Sequence, residues 1–339
     1  MNKLRIDIFM TGIVALFLLL SGCSSSAVEP VSATIDEVDP GTTIPPTETA
    51  VPARNQAVLV GPETHPYLSI SALTETLERR ITETSGGFRS YYSMESAVVD
   101  DTTALIVFVD QPELAGSWAR LNPETQVISI PAYAGEAMDN LINLGPGTIP
   151  VEQIGFLAGY AASLIAPDWR TAILTNVQSD LGGVLENAYY QGGKFFCGLC
   201  RPERPPYEDY PLILNLEPGD ENSWQRVSEI LRSSGIDVVY LEPDTLRPEE
   251  VADLEAAGVQ WIGSELDDYP GNPTLLITFN PASVLEEHWE ELILSPKGGD
   301  LPLPLIVVVV RESEVSPGRF AIIREVGDDL EDGFIGIEE

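Results

Sequence analysis

The sequence predicts an α/β protein of two Rossmann-like lobes, each built on a mostly parallel sheet and joined by several hinge crossings. Three observations carry that expectation. Short β-branched runs alternate with amphipathic helical stretches, as in chains that build parallel sheets. The alternation stops at a long apolar helix rich in small residues and then restarts. A late strand–helix–strand stretch after residue 274 can return to the first lobe.

Residues 57–61 form a buried-strand run. The stretch 69–84 predicts a helix, because Ile70, Leu73, Leu77 and Ile81 fall on one face. Strands follow at 105–109, 126–130 and 141–144. A helix over 150–165 starts at a proline, which the first turn tolerates. It is apolar around most of its circumference, so it is expected to be buried. Its Gly155, Ala158, Gly159, Ala161 and Ala162 permit a close neighbour. The second series sets strands at 171–175, 212–216, 236–241 and 260–263 between helices at 182–196, 221–233 and 248–257. A strand at 275–278, a helix at 281–293, a β-branched strand at 305–310 expected to be central, and a last strand near 320–323 complete the chain. The expected division is 54–148 plus 274–309 for lobe 1 and 149–273 plus 310–339 for lobe 2. The acidic stretch 328–332 reads as a solvated tail.

The chain begins differently. Lys3 and Arg5 precede an apolar run from 13 to 20, which is short for a membrane span and has signal-peptide flanks. Leu20-Ser21-Gly22-Cys23 follows at once and resembles the lipobox of bacterial lipoproteins. The resemblance implies cleavage after residue 22, a lipid on Cys23, and an extracytoplasmic, membrane-anchored location. Residues 23–53 are rich in Ser, Thr, Pro, Ala and Glu without apolar periodicity, the composition of a disordered tether.

Charge and cysteines narrow the partners. The net charge is −35, from 18 Lys+Arg against 53 Asp+Glu. A nucleic-acid binder needs a basic footprint, and this chain shows none. The bland consequence of such charge is solubility. Cys197 and Cys200 are close enough for a local disulfide outside the cytoplasm. A redox site and a metal site are the alternatives, but the pair follows a helix instead of opening one, and only His65 and His288 are available as further imidazole ligands. No nucleophile elbow, Walker loop or zincin motif is present, so the expectation is a protein that is not an enzyme and needs no metal or cofactor.

Val151-Glu152-Gln153-Ile154-Gly155-Phe156-Leu157-Ala158-Gly159-Tyr160-Ala161-Ala162 resembles the "FLAGYLAA" helix of the basic membrane protein family. Residues 187–193, 228–241 and 259–267 resemble later segments of that family, and the likeness spans most of 56–325. The resemblance implies a lipoprotein of the type I periplasmic-binding-protein fold. Some members are purine nucleoside receptors of ABC transporters, so it also implies a nucleoside-like ligand, an ABC-type permease as partner and a monomer. The sequence departs from the family in its first loop, 62–67, where the family has an Asp-x-x-Phe-Asn pattern. It also lacks the lysine often found in the helix after residue 280.

Ligands of open α/β sheets sit beyond the carboxyl ends of the strands, and clefts between lobes are preferred. The candidate ligand residues are therefore Glu63, His65, Tyr67, Asp110 and Tyr133 in the first lobe, and Asn176, Glu242, Glu265 and Asp267 in the second. Carboxylates and Asn suit a ribose-like diol, and the two tyrosines offer faces for a ring. Asp110 and Asn176 are equally natural as turn and cap residues. The expected function is a solute-binding lipoprotein that closes on a small polar ligand. The alternative is a sensor or surface interaction module of the same fold with an altered or lost pocket.

Overall fold

The computed structural model describes residues 54–338, except 96, 98, 218, 221, 246 and 265–268. The signal peptide, the tether and Cys23 lie outside the described residues. No helix among the described residues is long and apolar enough to cross a membrane.

The first series is β1 (Gln56–Val60), α1 (Ile70–Glu83), β2 (Gly87–Tyr91), β3 (Thr103–Val109), α2 (Pro112–Leu121), β4 (Gln126–Ile130) and β5 (Leu141–Leu144). The second is α3 (Val151–Ile165), β6 (Thr171–Asn176), α4 (Gly182–Cys197), β7 (Leu212–Leu216), α5 (Ser223–Ser233), β8 (Val238–Leu241), α6 (Pro248–Ala256), β9 (Gln260–Gly263) and β10 (Leu275–Phe279). The chain then forms α7 (Pro281–Leu294), β11 (Gly299–Leu301), β12 (Leu305–Val309) and α8 (Pro317–Glu331).

One sheet has the order β11-β5-β4-β3-β1-β2 and the other β12-β10-β9-β8-β6-β7. The pairs are parallel except β10 with β12. This corrects the expected division of the chain. Residues 274–309 do not return to the first lobe together. Every residue of β10 is buried, which calls for a place inside a sheet with both faces covered. That place is beside β9, and β12, expected to be central from its β-branched run, instead folds back antiparallel at the edge, where it is only half-buried. Only α7 and β11 go back: α7 packs on α1, where Arg80 meets Glu286 at 2.5 Å, and β11 pairs with β5. The lobes are thus joined at three places, 145–150, 279–281 and 301–305.

The region expected as a last strand is helix α8. Ser316 accepts the Arg319 N–H and Pro317 opens the first turn. Ile323, Val326, Gly327 and Leu330 form the buried stripe. The run 320–323 is a short apolar segment, for which strand and helix look alike until the longer period is followed. Asp328 and Asp332 lie on the exposed side at the end of this helix. The edge strands β2 and β11 and helix α2 add to the expected elements. β2, Gly-Phe-Arg-Ser-Tyr, is mostly exposed and carries little apolar signal.

One apolar core runs through both lobes, from Leu59, Leu77 and Val107 to Ile154, Tyr189 and Ile277. Separate cores lie under α5 and α6 and under α2. Helix α3 is buried over nearly its whole surface and lies against α4. Glycines allow that approach. A Cβ on Gly155 would stand 2.8 Å from the Leu185 carbonyl oxygen, and one on Gly192 would overlap the Phe156 carbonyl. At the end of α4, Cys197 and Cys200 are joined, with Cα atoms 5.0 Å apart. Cys200 is buried in the core under α5 and α6.

Candidate functional site

The carboxyl ends of the two sheets meet at one point. Phe279, the last residue of β10, donates its N–H to the Tyr67 carbonyl at 3.0 Å and accepts the Ser69 N–H at 3.0 Å. The loop that leaves β1 is therefore stitched to the second sheet. The candidate residues lie just beyond strands of the two lobes and form two clusters.

In the first lobe the loop folds around His65, which is buried. Its Nδ1 accepts the Tyr67 N–H at 3.1 Å, and its Nε2 stands 3.1 Å from a carboxylate oxygen of Asp110. A nitrogen that accepts from a backbone amide carries no proton, so Nε2 holds the proton and donates it to Asp110. The imidazole in this arrangement is neutral. Asp110 has φ 57°, in the left-handed region that Asp tolerates better than most residues. Its N–H donates to the Ile130 carbonyl at 2.7 Å, so β3 and β4 fix its position. The Tyr67 ring is buried and meets the His65 ring edge-on, with centroids 6.2 Å apart.

In the second lobe the centre is Glu242, only 1% exposed. One carboxylate oxygen accepts the Asn176 N–H at 2.7 Å, and the other accepts the Ser179 hydroxyl. A buried carboxylate persists only when hydrogen-bonded, and these two donors supply that. The Asn176 side chain accepts the Gln178 N–H at 2.9 Å, which shapes the turn into α4. Beneath this loop, the buried Tyr240 hydroxyl bonds Ser264 at 3.2 Å. Burial raises the Tyr240 pKa, so the phenol stays protonated and available as a donor.

The structure thus brings His65, Tyr67 and Asp110 into one cluster, and Asn176 and Glu242 into another. Glu63 is exposed in the first loop. Tyr133 goes elsewhere: its N–H donates to Asn143 at 3.0 Å, and its ring fills the space over Gly116 of α2 and Gly135. Glu265 and Asp267 lie outside the described residues. Among the described residues no three His, Cys, Asp or Glu side chains converge as a metal site would require. Pockets of about 800 Å³ between α5 and α6, and about 640 Å³ beside the first turns of α3 and α4, contain none of the candidate residues.

Two features had no place in the sequence reading. Asn215 of β7 donates to the Thr175 hydroxyl at 2.8 Å and also to Glu186 of α4, which accepts from Thr175 as well. An Asn inside the run Leu-Ile-Leu-Asn-Leu was the available signal. Ser69 and Thr278 are wholly buried beside the Tyr67–Phe279 junction, and their hydroxyls have no hydrogen-bond partner among the described residues. Single Ser and Thr residues carry no such mark in a sequence.

No protein-family model matches the chain, and no curated protein does. Solved structures do. A solute-binding protein of an ABC transporter system from Aeropyrum pernix K1 superimposes with a TM-score of 0.56 at 14% identity, covering 83% of this chain and 92% of that one. A transcriptional activator of the comK gene from Bacillus halodurans gives 0.54 at 12% identity, covering 84% and 99%. These likenesses show the fold, two α/β lobes of the type I periplasmic-binding-protein kind.

Proposed function

We propose that this chain is an extracytoplasmic solute-binding protein that captures a small polar ligand between its lobes and presents it to an ABC-type permease. The observation that carries the reading is the junction itself. The loop after β1 meets the end of β10 there and is ordered around buried His65, and the β6–α4 loop at the same edge of the second sheet is ordered around buried Glu242. Such a place, at a strand-end crevice between lobes, is where this class of fold binds ligands. The solute-binding protein from Aeropyrum pernix K1 supports the reading through its fold.

The finer parts belong to the same proposal. The lipobox-like Leu20-Ser21-Gly22-Cys23 supports a lipid anchor on Cys23 and a place on the outer side of a membrane. The helix around Gly155 and Gly159 supports kinship with the basic membrane protein family, and through it a nucleoside-like, hydroxyl-bearing ligand and a monomeric receptor. The Bacillus halodurans structure is a transcriptional activator of the same fold, so a sensor is the second reading. The burial of the Tyr67 ring, which leaves no open face for stacking, favours it.

Thermal unfolding against nucleosides, sugars and amino acids tests the proposal. A ligand that binds only the native state raises its stability by mass action, about 4 kcal/mol at a thousandfold excess over Kd. Saturable shifts that disappear in Asp110→Asn support the receptor. Silence across the panel, in folded protein freed of carried-over ligand, refutes it in favour of the sensor.

A further inference from the structure

We infer that β12 is the contact edge for a second copy of this chain, and that two copies pair there antiparallel, so that their second sheets run on into one. The inference goes beyond the receptor reading and departs from the monomer that the family resemblance implies. The receptor reading stands whether the pairing is found or not.

Four strands end the two sheets: β2 and β11 in the first, β7 and β12 in the second. An edge strand presents a row of backbone groups to any other strand, and folded proteins blunt such edges with charge, short length, proline or polar residues. β11 has three residues, one of them Asp300. β2 carries Gly87 and Arg89. β7 follows Pro211 and carries Asn215. β12 has none of these devices along its length. It reads Leu-Ile-Val-Val-Val, Val310 extends the run, and every residue from 306 to 310 is half-buried. Val307 and Val309 lean on the main core, and Ile306 and Val308 alternate to the other face.

The register shows which backbone groups point outward. β12 pairs with β10 so that Val309 stands opposite Leu275 and Leu305 opposite Phe279. The Val310 N–H donates to the Thr274 carbonyl at 3.2 Å, and the Asn280 N–H to the Pro304 carbonyl at 2.9 Å. Bonded pairs alternate along an antiparallel ladder, so residues 304, 306, 308 and 310 face β10 and Leu305, Val307 and Val309 face away. Leu305 agrees, because its N–H donates to the Glu331 carboxylate of α8 and not to β10. Val307 and Val309 are left to present two N–H and two C=O groups at the edge.

This edge is complementary to itself. A twofold axis through Val308 sets Val307 of each copy opposite Val309 of the other. Four backbone hydrogen bonds then form, and Glu331 keeps its own. The two Val308 residues meet across the axis as a non-bonded pair, with Cα atoms about 4.5 Å apart. An axis through Val307 or Val309 would call on the N–H of Leu305 or of Arg311, and both are engaged. The register through Val308 also sets Arg311 opposite Leu305 of the other copy, where Glu331 sits, so opposite charges meet at both ends. Arg311 is partly exposed and its partner in its own chain is Glu314, at 3.1 Å. The net charge of −35 opposes association, but exposed charges more than about 8 Å apart are screened at physiological ionic strength. Pairing should therefore tighten with added salt.

Sedimentation velocity and amide hydrogen exchange test this on the chain from residue 24 onward, which keeps every described element and carries no lipid. The expected result is a monomer–dimer equilibrium over roughly 1–100 μM, set by mass action and stronger in salt. The Val307 and Val309 amides should exchange several-fold more slowly at the high end of that range, while the amides of β2 do not change. Val308→Lys places two ammonium groups together on the axis, and Arg311→Glu reverses the charge at both ends. Each should weaken the dimer about tenfold, since like charges across a strand pair repel. Both side chains are partly exposed, and an unchanged thermal midpoint in dilute solution shows that the fold is kept. Arg311→Glu lies outside the strand and answers the question where Val308→Lys fails to fold. A chain that sediments as a monomer throughout overturns the inference. So does a dimer that survives both substitutions, or one that forms without slowing the Val307 and Val309 amides.

Discussion

Gly159→Ala tests whether the α3–α4 contact is what the second lobe is built on. A Cβ at Gly159 would stand 2.0 Å from the Tyr189 carbonyl oxygen. Ordinary contact begins at 3.4 Å, so the helices must part by 3.4 − 2.0 = 1.4 Å. The obstacle is backbone, so no rotamer change relieves it. Gly192 closes the same interface from the other side against the Phe156 carbonyl, so tilting one helix moves the clash instead of removing it. Overpacking of this kind costs roughly 3 kcal/mol, the upper part of its usual range. Alanine returns about 1 kcal/mol through helix propensity. The net loss of about 2 kcal/mol lowers the thermal midpoint by roughly 4–8 °C. Gly183→Ala is the control: it lies in the first turn of α4 with no atom within 4 Å of the added Cβ, and its midpoint should hold or rise slightly. Scanning calorimetry of both variants decides the matter. A Gly159→Ala protein that melts within a degree of the parent would refute the packing argument.

Glu242→Gln should loosen the loop between β6 and α4. One of its two donors, the Asn176 N–H or the Ser179 hydroxyl, would then face an amide NH₂, a loss of about 2 kcal/mol in denaturant titrations with faster exchange at the Asn176 amide. Burial raises the Glu250 carboxyl pKa, with Arg247 opposing, so ionised Glu250 costs stability above the ordinary carboxylate range and nothing below it. Glu250→Gln should therefore stabilise the protein near neutral pH, by under about 1 kcal/mol, and leave the midpoint unchanged near about pH 3. Reduction of the Cys197–Cys200 bond, which spans a sequence separation of 3, should cost about 2 kcal/mol by loop entropy and lower the midpoint measured with and without reductant.

How much of this was legible depends on the length of the pattern. Strands such as β3 and β4, buried at every position, announce themselves as apolar runs. Helix α3 does so through its small residues, whose meaning needs no partner to be known. What failed was information that sits between segments. The LLITF run of β10 reads as a buried strand in either lobe, and only pairing with β9 decides which. The run 320–323 is too short to show its period without Val326 and Leu330. At the site, strand-end position picked residues that the fold brings together, His65 with Asp110 and Asn176 with Glu242. It did not show that the Tyr133 ring packs over Gly116 of α2 and Gly135. The Ser69 and Thr278 hydroxyls stand out only because their surroundings offer no partner.

The junction also limits how the lobes can move. Two backbone hydrogen bonds join the lobes there, both between Phe279 and residues 67–69; the Asn280 N–H to the Pro304 carbonyl continues the β10–β12 pairing inside one sheet, and the Gly145 N–H to the Leu301 carbonyl continues β5–β11 inside the other. Each of the two that join the lobes is worth about 1 kcal/mol net, and an apolar core continues beneath them. Pulling the lobes apart there would break both and open that core. Hinge motions of two-lobed folds are absorbed by a few connecting residues, here those of the three crossings. A ligand then shifts the balance only through contacts made in the closed state alone. Glu242 is engaged by the Asn176 N–H and the Ser179 hydroxyl, so it orders the β6–α4 loop. Asp110 is half-exposed and has an oxygen left over, and a ligand contact to it made only on closure would favour the closed form.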